Sequence, residues 1–171
     1  MTQPSASAVQ PHRELSSAPG EGPARAFRAK CSKSILLVED NEDDRILARV
    51  ALGRNGSLDD VTILHDGAQA LEFLFWTGRY AETRPERPDL ILLDLKLPKV
   101  GGLEVLRRLR AEEITRYIPV VVLTSSREER DIARCYGHGA NSFVRKPINF
   151  DQFTRTVEQL KNYWLAVNET P

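Results

Sequence analysis

The 171-residue sequence has no excess of charge of either sign, since 24 basic side chains balance 24 acidic ones. Proteins that bind nucleic acid usually carry a basic excess or a basic stripe. An anionic membrane surface attracts basic clusters in the same way. The balance therefore argues against nucleic acid or a membrane surface as the main partner.

Cysteines and long apolar runs are also scarce. Cys31 and Cys135 are the two cysteines, too few for a disulfide framework or a cysteine metal cluster, and we expect both to be free thiols. No apolar run is long enough to span a bilayer. The N-terminus lacks the apolar core of a secretory signal peptide. These absences predict a cytoplasmic protein.

The N-terminal segment is rich in Pro, Ala, Ser and Gly and shows neither helical nor strand periodicity. Such a composition buries too little apolar surface to offset the entropy of ordering the chain. We therefore predict a disordered arm over residues 1–31. A folded domain is predicted over 32–166, followed by a short tail over 167–171.

From residue 32 onward, short apolar runs alternate with longer amphipathic stretches. The predicted strands lie in SILLVED, VTILHD, DLILLDLKLP, IPVVVLTSS and NSFVRKP, and the predicted helices cover 43–54, 67–78, LEVLRRLRAEE, REERDIARCYGHG and 149–165. Five β/α units in alternation imply a parallel sheet with helices on both faces. With right-handed crossovers, this predicts a flavodoxin-like (βα)5 doubly wound α/β fold with strand order 2-1-3-4-5.

Polar residues stand at the carboxyl ends of four of these strands. In a doubly wound sheet, chemistry is carried beyond those ends, so the groups should converge. Two carboxylates about 4 Å apart repel by roughly 4 kcal/mol at an effective dielectric of about 20, and a hard divalent cation relieves this. Because Mg²⁺ prefers oxygen ligands, we predict a Mg²⁺ site made by Glu39, Asp40, Asp94 and the backbone carbonyl of Lys96.

The chemistry that fits these groups is in-line phosphoryl transfer to a carboxylate. Asp94 is the predicted nucleophile because it ends the central third strand. Lys146 is expected to neutralise one phosphoryl oxygen and Thr124 to donate a hydrogen bond to another. The acids at positions 43 and 44 are interpreted separately, as candidate caps of the first helix.

Four segments resemble the successive signatures of the response-regulator receiver family: ILLVEDNEDD, LILLDLKLPKVGGLEVL, IPVVVLTSS and ANSFVRKP. The resemblance covers about residues 33–165. It implies that a histidine kinase phosphorylates Asp94 and that the chain is a switch rather than an enzyme acting on a separate substrate. It further implies that Glu39 and Asp40 are the acidic metal pair, Thr124 the switch hydroxyl, Phe143 the switch aromatic, Lys146 the family's lysine, and the Lys146–Pro147 bond a cis peptide.

The ending NYWLAVNETP and the loop after the second helix are similar to phytochrome-associated single-domain regulators. This resemblance implies a stand-alone regulator that signals by protein–protein contact, with a bacteriophytochrome as the kinase. A phosphorelay intermediate, which passes the group on to a phosphotransfer protein, remains the alternative. Part of the aromatic set on the last helix (Phe150, Phe153, Tyr163, Trp164) is expected to join Ile148 and Tyr136 in a homodimer interface over the fourth helix, fifth strand and fifth helix.

Three other functions are less consistent with the residues. A haloacid-dehalogenase phosphatase needs a second Asp two positions after the nucleophile, where this chain has Lys96. A nucleotide-binding module needs a phosphate-cradling loop after the first strand, where EDNEDD would repel a phosphate. The intact acidic and lysine set argues against a degenerate scaffold.

We also predict that Lys96, or its partner at Ser126, lengthens the life of the phosphorylated state, and that Gly102 preserves the loop after Asp94.

Overall fold

The computed structural model describes residues 33–53 and 61–170. The strands are β1 (Ile35–Val38), β2 (Val61–Leu64), β3 (Leu90–Leu93), β4 (Val120–Thr124) and β5 (Ser142–Arg145). The helices are α1 (Glu42–Gly53), α2 (Gly67–Phe75), α3 (Gly102–Ala111), α4 (Glu129–Gly137) and α5 (Phe150–Asn162). The predicted arm and Cys31 lie outside the described residues, so those interpretations remain predictions. Cys135 is a free, buried thiol.

The five strands form one parallel sheet in the order β2-β1-β3-β4-β5, which confirms the predicted fold. The register pairs Val38 with Leu93 and also with Leu64, so β1, β2 and β3 end at the same level. Residues that follow Val38 and Leu93 therefore stand side by side at the carboxyl edge. This register positions the candidate site.

Alternate residues of the central strands pack into two separate cores. Leu36 and Val38 of β1 face the core formed with α2, α3 and α4. Ile35 and Leu37 face the core formed with α1 and α5. Each fully buried aliphatic side chain of this kind contributes about 1.5–3 kcal/mol. Burial on both faces explains why the apolar runs of β1, β3 and β4 are continuous rather than alternating.

The second helix ends earlier than predicted. We expected it to run to Gly78, but it stops at Phe75 and Trp76 adopts a left-handed backbone with φ of 55°. The Trp76 indole Nε1 donates to the Pro85 carbonyl at 2.9 Å, and the Arg87 guanidinium lies 3.7 Å from its ring centroid. These contacts with the following loop hold the tryptophan in a conformation that non-glycine residues seldom adopt.

Two other helix ends also differ from the predictions. Asn41, rather than an acid at position 43 or 44, caps α1: its Oδ1 accepts the Asp44 N–H at 3.0 Å. The last helix is regular over Phe150–Asn162 and continues as a π turn over Tyr163–Val167. Within the described ranges, no helix combines the length and apolarity that crossing a membrane requires.

Candidate functional site

Three carboxylates meet where β1 and β3 end. The oxygens that Glu39, Asp40 and Asp94 can offer to a metal all lie within 4.8 Å of one another. The Asp94 N–H donates to the Val38 carbonyl at 3.1 Å and the Glu39 N–H to the Leu64 carbonyl at 3.0 Å. These bonds extend the parallel ladders by one residue and fix two of the three backbones.

Two of these carboxylates are buried and one faces solvent. Glu39 is 2% exposed and Asp94 is 5% exposed, whereas Asp40 is exposed. Buried carboxylates need compensation, because desolvation disfavours the charged form. An arrangement of two buried acids and an exposed third is open to a cation from solvent.

Lys146 supplies part of that compensation. Its Nζ lies 2.5 Å from Glu39 Oε2, 2.8 Å from Asp94 Oδ2 and 2.9 Å from Asp44 Oδ2, and its side chain is 6% exposed. An ammonium has three N–H donors, and each has a carboxylate partner here. One ammonium thus meets three carboxyl groups, with Asp40 close by, so acidic groups outnumber the single base and favour a divalent cation.

The pKa values follow from this balance. Burial raises the pKa of Glu39 from 4.5 to about 7, and the charge of Asp94 adds to the rise, while the Lys146 hydrogen bond opposes it. For Lys146, burial alone would lower the pKa. The charge and hydrogen bond of Asp94, with the bonds to Glu39 and Asp44, outweigh burial and raise the pKa of Lys146 above its usual range. The lysine therefore stays charged at neutral pH.

The loop after β3 fixes the Asp94 carboxylate. Its Oδ1 accepts the Leu95 N–H at 2.6 Å and the Lys96 N–H at 3.2 Å, and its Oδ2 accepts from Lys146. The chain turns sharply into α3, and a Cβ at Gly102 would lie 2.0 Å from the Asp94 carbonyl oxygen. Retaining glycine at this position therefore preserves the loop, in line with the sequence prediction.

The predicted switch residues lie on β4 and β5. Thr124 is fully buried, and its Oγ1 accepts the Ser126 N–H at 3.3 Å. Ser126 Oγ in turn donates to Asp131 Oδ2 in the first turn of α4 at 2.6 Å. Phe143 is half-buried and packs against the core shared with α2, α3 and α4. The switch roles of Thr124 and Phe143 remain predictions.

Lys96 borders a small cavity beside the site. The cavity has a volume of about 190 Å³ and is also lined by Leu95, Leu103, Asp131 and Arg134. The roles predicted for Lys96, as a carbonyl ligand and as a brake on dephosphorylation, remain predictions.

The predicted cis bond between Lys146 and Pro147 is wrong. That bond is trans, as are all peptide bonds in the described ranges. The trans form is favoured before proline by about 0.5–1 kcal/mol, and in it the Lys146 N–H still donates to the Thr124 carbonyl at 2.9 Å. Lys146 Nζ reaches the carboxylates of Glu39 and Asp94 from this trans backbone.

The sequence does not predict two ion pairs at this edge. Asp44 contacts Lys146, as described above. Lys99, in the loop after β3, pairs with the buried Asp66 at 2.6 Å, and Asp66 also caps α2 by accepting the Gln69 N–H. No local sequence signal points to the Asp44 contact, because the Asn41-x-x-Asp44 spacing is that of a capping box and predicts a capping role for Asp44.

Comparison with known proteins assigns the family. The pattern of the response regulator receiver domain family matches residues 35–158. This chain belongs to that family. It is 42% identical over 137 residues to the probable methanogenesis regulatory protein FilR2 of Methanothrix harundinacea, covering 80% of this chain and 86% of FilR2. It is 39% identical over 139 residues to the response regulator Rcp1 of Synechocystis, covering 81% of this chain and 93% of Rcp1.

Solved receivers share the fold as well as the sequence. The phosphorylated cyanobacterial phytochrome response regulator RcpA is 39% identical with a TM-score of 0.77, covering 81% of this chain and 98% of RcpA. The Mn²⁺-bound form of Rcp1 gives a TM-score of 0.75 at 39% identity, covering 82% and 99%. The bacteriophytochrome response regulator AtBRR is 47% identical with a TM-score of 0.63, covering 80% and 98%. This receiver is thus a phosphoacceptor of two-component signalling with a divalent-metal site and a histidine kinase as its partner.

Proposed function

We propose that this receiver is a stand-alone response regulator, with its domain over residues 32–166, that accepts a phosphoryl group on Asp94 from a histidine kinase. The observation that carries the proposal is the shared environment of Asp94: a buried carboxylate beside two further acids, held by a buried lysine. Such a set provides a nucleophile, a cation site and a fixed positive charge in one place.

The donor set suits Mg²⁺. Three carboxylates with ligand atoms within 4.8 Å of one another offer hard oxygen donors, and Mg²⁺ binds through one or two carboxylates while keeping several waters. We propose that Asp40 and Asp94 ligate directly, that Glu39 acts through water, and that the Lys96 carbonyl completes the protein ligands. The bound ion would neutralise charge on the transferred group.

The residues of this chain then act on the phosphoryl group as follows. An Asp94 carboxylate oxygen forms a bond to phosphorus while the bond from phosphorus to the kinase histidine nitrogen breaks, and the leaving imidazole takes up a proton. Lys146 moves its hydrogen bond from Asp94 Oδ2 to a phosphoryl oxygen. Charge stabilisation and positioning carry such a reaction. We propose no turnover of a separate substrate.

The conformational change that follows phosphorylation would begin at Thr124. A hydrogen bond from Thr124 Oγ1 to a phosphoryl oxygen would replace its present contact with the Ser126 N–H. Because Ser126 is bonded to Asp131 of α4, movement at Thr124 reaches that helix, and Phe143 would rotate into the space released. The α4–β5–α5 face would then change shape.

We propose this face as a homodimer interface. Tyr136 of α4, Phe150 and Tyr163 are exposed on it, and Ile148 is 91% exposed. Phe153, by contrast, belongs to the core. A two-fold contact would cover these apolar side chains symmetrically. Sedimentation with and without a phosphoryl mimic tests this, and a monomer under both conditions would contradict it.

We propose a bacteriophytochrome as the kinase, because the names of RcpA and AtBRR link them to phytochromes and this chain covers 98% of each. We also propose a cytoplasmic location, because the kinase that supplies the phosphoryl group uses ATP. Profiling against the kinases of the same genome should show a light-sensing kinase as the fastest donor. Rapid onward transfer to a phosphotransfer protein would instead favour the phosphorelay alternative.

The central test uses acetyl phosphate with Mg²⁺ and intact mass spectrometry. The wild-type chain should gain the mass of one phosphoryl group, as should Asp43→Asn, which alters an exposed acid on α1. Asp94→Asn should gain none. An unmodified wild type, or an Asp94→Asn variant modified at the wild-type rate, would refute the proposal.

A further inference from the structure

Asp44 contacts Lys146 although it is not part of the metal-binding group. Its Oδ2 lies 2.9 Å from Lys146 Nζ, and its side chain is 32% exposed, against 6% for the lysine. The group of acids that could hold an ion contains Glu39, Asp40 and Asp94. Lys146 therefore has two partners inside that group and one outside it.

The start of α1 leaves the Asp44 side chain available for this contact. An acid three residues after the helix cap usually bonds back to the N–H of the capping residue. Here the N–H of the cap, Asn41, donates instead to Glu39 Oε1 at 3.2 Å. The Asn41 side chain accepts the Asp44 N–H. With both capping bonds made by other groups, the Asp44 carboxylate points to Lys146.

The three partners of Lys146 differ in whether they also take part in metal binding or phosphorylation. In the proposed site, metal binding uses an oxygen of Asp94 directly and one of Glu39 through water, and phosphorylation converts an Asp94 oxygen into the bridging oxygen of an acyl phosphate. Both changes weaken the hold of these carboxylates on Lys146 Nζ. Asp44 takes part in neither event, so its ion pair with Lys146 can persist through the cycle.

We propose that Asp44 is a positioning residue that keeps the Lys146 ammonium beside the phosphoryl group during transfer. This inference rests on the proposed phosphorylation of Asp94. Without Asp44, a charged lysine on a flexible four-carbon stem would sample other orientations once the metal is bound. The reaction would then lose part of the charge stabilisation that Lys146 supplies.

The chain offers a matched control. Asp43 lies in the same first turn of α1 and is exposed. Asp43→Ala removes the same charge from the same helix end as Asp44→Ala, with a similar effect on the helix dipole and on the local field. Asp44→Asn provides the conservative variant, since it keeps an oxygen acceptor at the position of the carboxylate.

The first readout is the Lys146 ammonium signal in ¹H–¹⁵N NMR, assigned by its absence from Lys146→Met. An ammonium held by carboxylates exchanges its protons slowly enough to be seen. At saturating Mg²⁺ and without phosphodonor, wild type, Asp43→Ala and Asp44→Asn should keep the signal, and Asp44→Ala should lose it. A signal that persists in Asp44→Ala overturns the proposal.

The second readout is the rate of phosphorylation by acetyl phosphate at saturating Mg²⁺. Removing this partly exposed ion pair should lower the phosphorylation rate of Asp44→Ala by about fivefold. The rate of Asp44→Asn should stay within about twofold of wild type, and that of Asp43→Ala should be unchanged. Equal rates for Asp44→Ala and Asp43→Ala overturn the proposal. If the wild type itself takes up no phosphoryl group, the proposed function fails and the positioning role fails with it, whereas a loss confined to Asp44→Ala leaves that function intact.

Discussion

Replacing Asp40 by Asn should have opposite effects on stability without and with Mg²⁺. Oxygens of Asp40, Glu39 and Asp94 lie within 4.8 Å of one another, where two charges repel by about 0.9 kcal/mol in a water-like dielectric and by more in the interior. Asp40 is exposed, so the smaller value applies, and salt screens it further. We expect Asp40→Asn to stabilise the metal-free protein by up to about 0.9 kcal/mol.

The effect reverses when the ion is present. Binding to the native state stabilises the wild type by about 2.7 kcal/mol when free Mg²⁺ is about 100 times Kd. Asp40→Asn removes one of the three carboxylates that could hold the ion, so this stabilisation should largely disappear. The free energy of unfolding should then be higher for the wild type than for the variant, the reverse of the metal-free order.

Urea denaturation near pH 8 measures both effects, with NaCl used to match the ionic strength of the Mg²⁺ samples. Asp43→Asn is the control: it should lose a few tenths of a kcal/mol at the helix N-terminus and keep the full response to Mg²⁺. The reasoning is refuted if metal-free Asp40→Asn is less stable than wild type, or if Mg²⁺ stabilises both equally.

Three further predictions follow from the site. Because the pKa of Glu39 is raised to about 7 and a cation favours the ionised carboxylate, Mg²⁺ affinity measured by calorimetry should rise with pH up to about 7 and level off above it; a flat profile would contradict this. Gly102→Ala should cost about 1–3 kcal/mol and slow phosphorylation, because its Cβ would lie 2.0 Å from the Asp94 carbonyl oxygen. Gly137→Ala is the control, because the space around its added Cβ is open. Equal denaturation midpoints for Gly102→Ala and Gly137→Ala would refute the expected clash at Gly102. Lys96→Ala should speed autodephosphorylation, because it removes a cation beside the phosphoryl group; an unchanged decay rate of the phosphoprotein would exclude this role.

The fold was predictable because its signals are local and repeated. Apolar runs such as Leu90–Leu93 are buried on both faces of the sheet, which a sequence shows as an uninterrupted apolar stretch. The alternation of such runs with amphipathic helices leaves few topologies. The positions of Glu39 and Asp94 follow from that topology, since both come directly after strands paired in register.

The features that were missed depend on contacts between distant residues. Asp44 meets Lys146 across 102 positions of the chain, and its place near a helix start suggested a capping role that Asn41 fills instead. The sequence predicts a second helix that runs to Gly78, because glycine is the usual sign of a helix end. The actual end at Trp76 depends on contacts with a loop whose conformation the sequence does not reveal.

The central claim is that Asp94 receives a phosphoryl group beside a divalent ion held by its neighbours. The most direct measurement is a crystal structure of the protein with Mg²⁺ and beryllofluoride, a mimic of the phosphoryl group. We expect the mimic on a carboxylate oxygen of Asp94, the ion among Glu39, Asp40 and Asp94, and Lys146 Nζ within hydrogen-bond distance of a fluorine. A mimic attached elsewhere, or an ion bound away from these three acids, would contradict the account.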